Sequence, residues 1–178
     1  VHVEAVVESS HGQSEMCYVI VSDITERKQA EEELRRLSTH DSLTGLYNHS
    51  FFFEEMARVE RGRQFPVSIV MADVDHLKQI NDQQGHAAGD ALIQRIAQVL
   101  VSAFRVEDVV ARIGGDEFAV LLPGTDAASA KVSLQRVQRV IQENNATHTE
   151  TPIRLSLGVS TADNPISLSV VLKKADVN

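Results

Sequence analysis

The stretch "RIGGDEFAVLLP", residues 112–123, sets two glycines and two carboxylates side by side between two apolar runs. Its flanks, "VVAR" (109–112) and "FAVLLP" (118–123), have the composition of strands, so Gly114 and Gly115 fall where a hairpin would turn. Such a hairpin holds Asp116 and Glu117 at the tip of a rigid element. Two readings fit the stretch by itself. Gly-Gly-Asp is ordinary turn chemistry with solvated acids, or the acids are presented there for chemistry. The rest of the chain has to decide.

The chain's 178 residues suffice for one full domain with a sizeable core and a little extra. Apolar residues make up 43% and charged residues 24%, as in an ordinary globular protein. Trp is absent and aromatics are few, which disfavours stacking on bases. The net charge of −8 argues against a nucleic-acid polymer or an anionic membrane surface as partner. An acidic chain that handles phosphates needs metal ions and a few local cations. Cys17 is the only cysteine, so no intrachain disulfide forms and a reducing compartment is expected. No apolar run approaches a membrane span and no signal peptide is visible, so no membrane contact is expected within this segment. The opening "VHVEAVV" starts in mid-strand. The chain is therefore expected to be an excerpt of something longer, which could be membrane-tethered upstream.

Residues 1–23 carry two strand-like runs, "VHVEAVVES" and "EMCYVIVSD", around the turn-like "SHGQ". A lone hairpin is rarely stable, so this piece should belong to an incomplete domain. The charged "ITERKQAEEELRRLS" (24–38) reads as a helix with a thin stripe of Ala30, Leu34 and Leu37. A solvated linker and a short coiled coil both fit one heptad. From His40 onward the pattern is α/β. "DSLTGLYNHSFFFEEMARVER" predicts helical turns opening on Asp41 as N-cap. "PVSIVMADVD" predicts a strand ending in acids, and "DALIQRIAQVLVSAFR" an amphipathic helix. After the hairpin of 109–122 come a helix ("ASAKVSLQRVQRVIQEN"), a strand ("IRLSLGVST") and a last helix ("SLSVVLKKADVN").

A second acidic cluster, "MADVDHLKQINDQQGHAAGDAL", spans residues 71–92. Only one of Asp73 and Asp75 is expected to share a face with the hairpin tip. A strand-end carboxylate beside a hairpin-tip carboxylate suits Mg²⁺, which takes one or two carboxylates plus phosphate oxygens and water. A calcium loop is excluded, because its sixth position needs Gly and its twelfth Glu. Lys78 supplies a cation for phosphate, while Asn81 and Asp90 offer an amide and a carboxylate near the same pocket. A carboxylate accepts from guanine's N1–H and exocyclic amine. Adenine has neither donor, so such a site rejects the wrong purine.

Together with "GGDEF" (114–118), the blocks "DSLTGLYN" (41–48), "DVDHLKQIND" (73–82), "GHAAGD" (85–90), "LSLGVS" (155–160) and "LKKAD" (172–176) resemble, in order, the GGDEF family of diguanylate cyclases. The resemblance covers residues 39–178 and implies an α/β (α+β) fold. Its central mixed or antiparallel sheet, flanked by helices, would be like that of nucleotidyl cyclases and polymerase palms. It implies condensation of two GTP into cyclic di-GMP with release of two pyrophosphates. By position, Asp73, the Val74 carbonyl and Asp116 would hold Mg²⁺ or Mn²⁺. Glu117 would be a metal ligand or would help deprotonate the attacking 3′-hydroxyl. Lys78 would meet phosphate and stabilise charge. Asn81 and Asp90 would read guanine with His86 close by and Leu77 lining the site. Gly114 and Gly115 would leave room for phosphates at the backbone. One domain holds one GTP, so the resemblance implies a homodimer with facing domains, placed by the linker helix.

The end of the first segment, "YVIVSDITERKQAEEELRRL", is similar to the last strands of a PAS sensor (1–23) and its signalling helix (24–38). "RVED" (105–108) resembles the family's inhibitory product site, with Arg105 clamping guanine or phosphate, Asp108 accepting from the base and Arg136 as a further contact. The bland reading of Arg105 is a favourable charge at a helix C-terminus. Bacterial cytoplasm is the implied location. Leu77 stands where the family usually has Phe, and "NHS" (48–50) replaces a more usual Asn-Arg-Arg, so His49 removes an expected cation. The family continues past "LKKAD" with a Lys and an Arg that help hold phosphates, groups this piece is expected to lack. Alternatives are a silent receptor for GTP or cyclic di-GMP and a dimerisation relay. The intact acids and Asn81, Lys78 and Asp90 argue against both.

Overall fold

The structure, a computed structural model, describes residues 2–8 and 16–176. The "SHGQ" turn and the last two residues lie outside this range. The chain divides into two compact units, meeting between Ser38 and Thr39.

In the first unit, β1 (His2–Glu8) and β2 (Met16–Ser22) pair antiparallel, from His2 opposite Ser22 to Glu8 opposite Met16. Asp23 accepts from the Thr25 backbone N–H at 2.9 Å and starts α1 (Thr25–Thr39). Arg27–Glu31, Arg35–Glu32 and Arg36–Glu33 pair along its surface, the one-turn spacing that supports an exposed helix. None of its described residues is buried, and Leu34 and Leu37 are 67% and 58% exposed. Among the described residues nothing buries its apolar stripe.

The second unit is built on a four-stranded sheet in the order β4 (Val109–Arg112), β5 (Glu117–Pro123), β3 (Val67–Val74), β6 (Leu155–Ala162). All three ladders are antiparallel, and the only parallel element among the described residues is the isolated bridge of Tyr47 to Ala111. Of the two forms expected, mixed or antiparallel, the sheet takes the antiparallel one. The period of two sends Val70, Ala72, Val74, Phe118, Val120 and Leu122 to one face, where they pack with α4 (His86–Ala103) and α5 (Ala127–Thr147). The other face carries Val67, Ile69, Met71, Ala119 and Leu121, covered by α2 (His49–Arg61) and α6 (Leu168–Ala175). Burial on both faces explains why β3 reads as an almost unbroken apolar run.

Three local expectations are corrected. Residues 41–48 are not helical, and α2 begins at His49 with Asn48 as its cap, accepting from Phe51 N–H at 3.0 Å. Asp41 is engaged instead by the Thr44 N–H (2.9 Å) and hydroxyl (2.7 Å), and Gly45 adopts φ +71°. That turn frees Tyr47 to bond β4, accepting from Arg112 N–H at 2.9 Å. Second, α4 starts at His86, four residues ahead of Asp90. Third, an unforeseen helix, α3 (Leu77–Gln84), fills the gap after β3. With only Leu77 and Ile80 packing on the core, its pattern is too short to register as periodic. No helix among the described residues is long and apolar enough to cross a membrane.

Burial pushes the Asp41 carboxyl up, but hydrogen bonds from Thr44 and Arg112 outweigh it and hold the group below its usual range. A depressed carboxylate stabilises the fold above its unfolded pKa near ~3.9 and loses that contribution as pH falls through the folded value. Asp41→Asn should therefore cost about 1–3 kcal/mol at pH 7. In melting experiments the gap to wild type should narrow toward pH 3.

Candidate functional site

The site grows from the end of β3 and the turn between β4 and β5. Asp73 lies opposite Glu117 in the ladder, and Val74 N–H donates to the Asp116 carbonyl at 3.0 Å. Directly opposite residues share a face, so Asp73 and Glu117 stand side by side. Asp75 lies past the strand end: its N–H donates to the Arg154 carbonyl and its carboxylate accepts from Ser156 Oγ at 2.8 Å. Residues two apart in an unbroken strand share a face. Ser156 lies opposite Asp73 in the β3–β6 ladder, so the Asp75 carboxylate reaches the side of the sheet that Asp73 occupies, and its charge acts on Asp73.

The turn is closed by Ile113 and Gly114 N–H groups donating to the Glu117 carbonyl, at 3.0 and 3.3 Å. Neither Gly114 nor Gly115 has a left-handed φ. A Cβ on Gly114 would collide with the Glu117 carboxylate, whereas one on Gly115 would meet nothing within 4 Å. The missing side chain of Gly114 makes room for Glu117, and that of Gly115 leaves open space at the turn. Arg112, which the sequence reading passed over, reaches the Gly115 carbonyl at 2.7 Å and Asp41 at 3.2 Å. It ties the turn to the start of the unit.

A cavity of about 490 Å³ opens between α3, α4 and this turn. Leu77, Lys78, Asn81, His86, Asp90, Gly115 and Asp116 all line it, together with Arg112 and Gly89, which were not foreseen. Helical spacing explains the grouping. Leu77, Lys78 and Asn81 recur at three- and four-residue intervals on α3, as His86 and Asp90 do on α4. Asp73 and Glu117 line a separate, narrow pocket with Ser156 and Asp176.

Burial, then the negative charges of Asp116, Asp75 and Asp176, push the Asp73 carboxyl above its usual range. A divalent cation between Asp73 and Asp116 would relieve that repulsion. Among the described residues no three His, Cys, Asp or Glu side chains are gathered as a ready-made metal cluster. The donor set nevertheless suits Mg²⁺, which needs only one or two carboxylates. Asp176 and Ser156 are further neighbours that the sequence reading missed, because their proximity is set by the β3–β6 ladder and α6.

The loop Arg105–Asp108 forms a reciprocal turn, Arg105 N–H donating to the Asp108 carboxylate (2.8 Å) and Asp108 N–H to the Arg105 carbonyl (3.1 Å). The Arg105 side chain extends into solvent. Arg136, on α5, lies close enough to act electrostatically on Asp108, and its buried Nε has no hydrogen-bond partner. The loop borders a second cavity of about 330 Å³, whose apolar wall includes Leu46, Val101 and Phe104.

Residues 38–178 match the family model "Diguanylate cyclase, GGDEF domain". The chain belongs to the GGDEF family. It is 34% identical over 162 residues to "Diguanylate cyclase DgcM" of Escherichia coli, covering 88% of this chain and 39% of that protein. To an "Uncharacterized signaling protein" of Caulobacter vibrioides it is 37% identical over 154 residues, 83% of this chain and 19% of that one. Among solved structures, the coiled coil and GGDEF domain of DgcB from Caulobacter crescentus, in complex with c-di-GMP, superposes with a TM-score of 0.76. The identity is 26%, over 86% of this chain and 84% of that one. The chain spans between 12% and 39% of the length of the curated relatives it matches.

Within this GGDEF domain Leu77 packs against the core, and the ring of the exposed His49 sits 4.4 Å from that of Phe53. Burial, outweighing the Arg105 N–H bond, pushes the Asp108 carboxyl above its usual range. A raised carboxyl destabilises the fold once pH exceeds its unfolded pKa, and the penalty is complete above the folded value. Asp108→Asn, which keeps an acceptor for Arg105 N–H, should therefore melt higher than wild type at pH 7. That gain should shrink at pH 4.

Proposed function

We propose that this GGDEF domain is a diguanylate cyclase module, condensing two GTP into cyclic di-GMP and two pyrophosphates. One observation carries the reading: a single cavity collects Lys78, Asn81, His86 and Asp90 beside Asp116, whose carbonyl is hydrogen-bonded to the strand end that bears Asp73. The names of DgcM and DgcB's bound c-di-GMP support the same chemistry.

In this reading Asn81 and Asp90 read the guanine edge, with His86 and Leu77 beside it, and Lys78 takes phosphate charge. Asp73, the Val74 carbonyl and Asp116 would hold Mg²⁺. Bound there, the metal would neutralise triphosphate charge and polarise the α-phosphate. Each 3′-oxygen attacks the other nucleotide's α-phosphorus, and each P–O bond to pyrophosphate breaks as the new ester forms. The 3′-hydroxyl proton passes to solvent, with Glu117 either taking it on the way or serving as a further group that would hold the metal. Two such bonds need two facing domains, hence a homodimer brought together by α1, whose exposed Leu34 and Leu37 suit a paired helix. Arg105, Asp108 and Arg136 form a product-binding site that gives feedback inhibition. Residues 1–23 read as the end of a PAS sensor, and the GTP substrate and lone Cys17 suit a bacterial cytoplasm.

The test is product formation from GTP and Mg²⁺ by nucleotide-free protein, resolved by chromatography. Cyclic di-GMP should appear with wild type, and Glu117→Ala should lower the rate at least about hundredfold. A correctly paired dimer that makes none would hand the domain to a receptor role. In the same assay, Arg105→Ala should raise the product concentration needed for half-inhibition at least about tenfold while leaving the initial rate intact. Unchanged inhibition would remove the feedback site from the proposal.

A further inference from the structure

Asn81 and Gly89 meet where α3 and α4 fold back on one another at Gly85, whose φ is +85°. Gly89 is buried in the first turn of α4, within a helix, where propensity favours alanine over glycine. Space explains the glycine. A Cβ there would collide with Asn81 Oδ1 and stand 2.9 Å from its Cγ and 3.3 Å from its Nδ2. The flanking position, Gly85, has nothing within 4 Å of an added Cβ, so the tight approach is particular to Gly89. Asn81 Oδ1 is itself buried with no hydrogen-bond partner. Native structures leave few such atoms. Hydrogen bonding therefore does not locate this oxygen; contact with the bare Cα of Gly89 does.

We infer that Gly89 is a specificity-determining positioning residue: its missing side chain is the seat that holds the Asn81 carboxamide at the cavity beside Asp90, and thereby sets the preference for guanine over adenine. The inference rests on the reading of Asn81 and Asp90 as the groups that meet the base. Gly89 and Asp90 are neighbours in α4, so one turn of helix sets both the amide's seat and the carboxylate. An alanine methyl would drive the amide away from that seat while leaving Asp90 and Lys78 on their helices. A ligand held only by its phosphates would not sense the change.

The test is calorimetric binding of 3′-deoxy-GTP and 3′-deoxy-ATP in Mg²⁺, neither of which has the attacking hydroxyl, to wild type, Gly89→Ala, Asn81→Ala and the double variant. Gly89→Ala should lower the guanine preference at least about tenfold while 3′-deoxy-ATP binding moves less than about twofold. In the Asn81→Ala background, where the methyl has room, adding Gly89→Ala should change the preference less than about twofold. Equal weakening of both nucleotides, an intact preference in Gly89→Ala, or additive effects would overturn the inference and leave the guanine reading standing. An intact preference in Asn81→Ala would overturn both. If Gly89→Ala alone does not fold, melting of the double variant decides. A return to the Asn81→Ala melting temperature supports the seat, and a double variant that also fails to fold overturns it.

Discussion

Everything chemical in this domain depends on the last rungs of the ladder between β3 and β5. The Val74 N–H to Asp116 carbonyl bond and the pairing of Asp73 with Glu117 bring acids from sequence positions more than forty apart to one sheet end. The register cannot drift. Both faces of β3 are covered, so a slip of one residue would exchange Val70, Ala72 and Val74 for Ile69, Met71 and Asp73 against α4 and α5. The core thus fixes the position of the acids.

Those acids repel one another. Asp73 feels Asp116, Asp75 and Asp176 besides its own desolvation, and the chain carries a net charge of −8. The opposing interaction stands at the other side of the turn, where Arg112 bridges Asp41 and the Gly115 carbonyl. The pair is largely shielded from water, with side-chain exposures of 16% and 22%, so it is screened less than the exposed pairs of α1. Arg112 also receives support through the backbone, its N–H bonded to Tyr47. The segment ahead of α2 is therefore a brace for the turn rather than the helical lead-in its composition suggested.

Strands and long helices were legible because their side chains obey a period: the β3 run, the α4 stripe and the hairpin all stand near where the pattern places them. The cavity's lining was legible through blocks that resemble those of the family, although the helix that carries Leu77, Lys78 and Asn81 was not. What the pattern could not carry was space and long-range contact. Nothing local distinguishes Gly114, which accommodates Glu117, from Gly115, which faces open space. Asp41 resembles a helix cap because Asx chemistry is the same whether a turn or a helix follows. Asp176 and Ser156 join Asp73 only through the β3–β6 ladder and α6, partners far apart in the chain.

The local costs of the fold also have a location. Five buried side-chain polar atoms lack hydrogen-bond partners among the described residues, and three of them belong to Asn81, Arg112 and Arg136. The first two line the cavity, and the third is the neighbour of Asp108. Folding alone gains nothing from an orphaned acceptor or guanidinium nitrogen, since each forfeits bonds that water would have supplied. A core chosen for stability would replace Gly89 by alanine and Asn81 by an apolar residue. The chain keeps both. That choice has a physical reason if the cavity is completed by a ligand that supplies polar partners of its own, because the orphaned atoms and the repelling acids then become the surfaces on which discrimination rests.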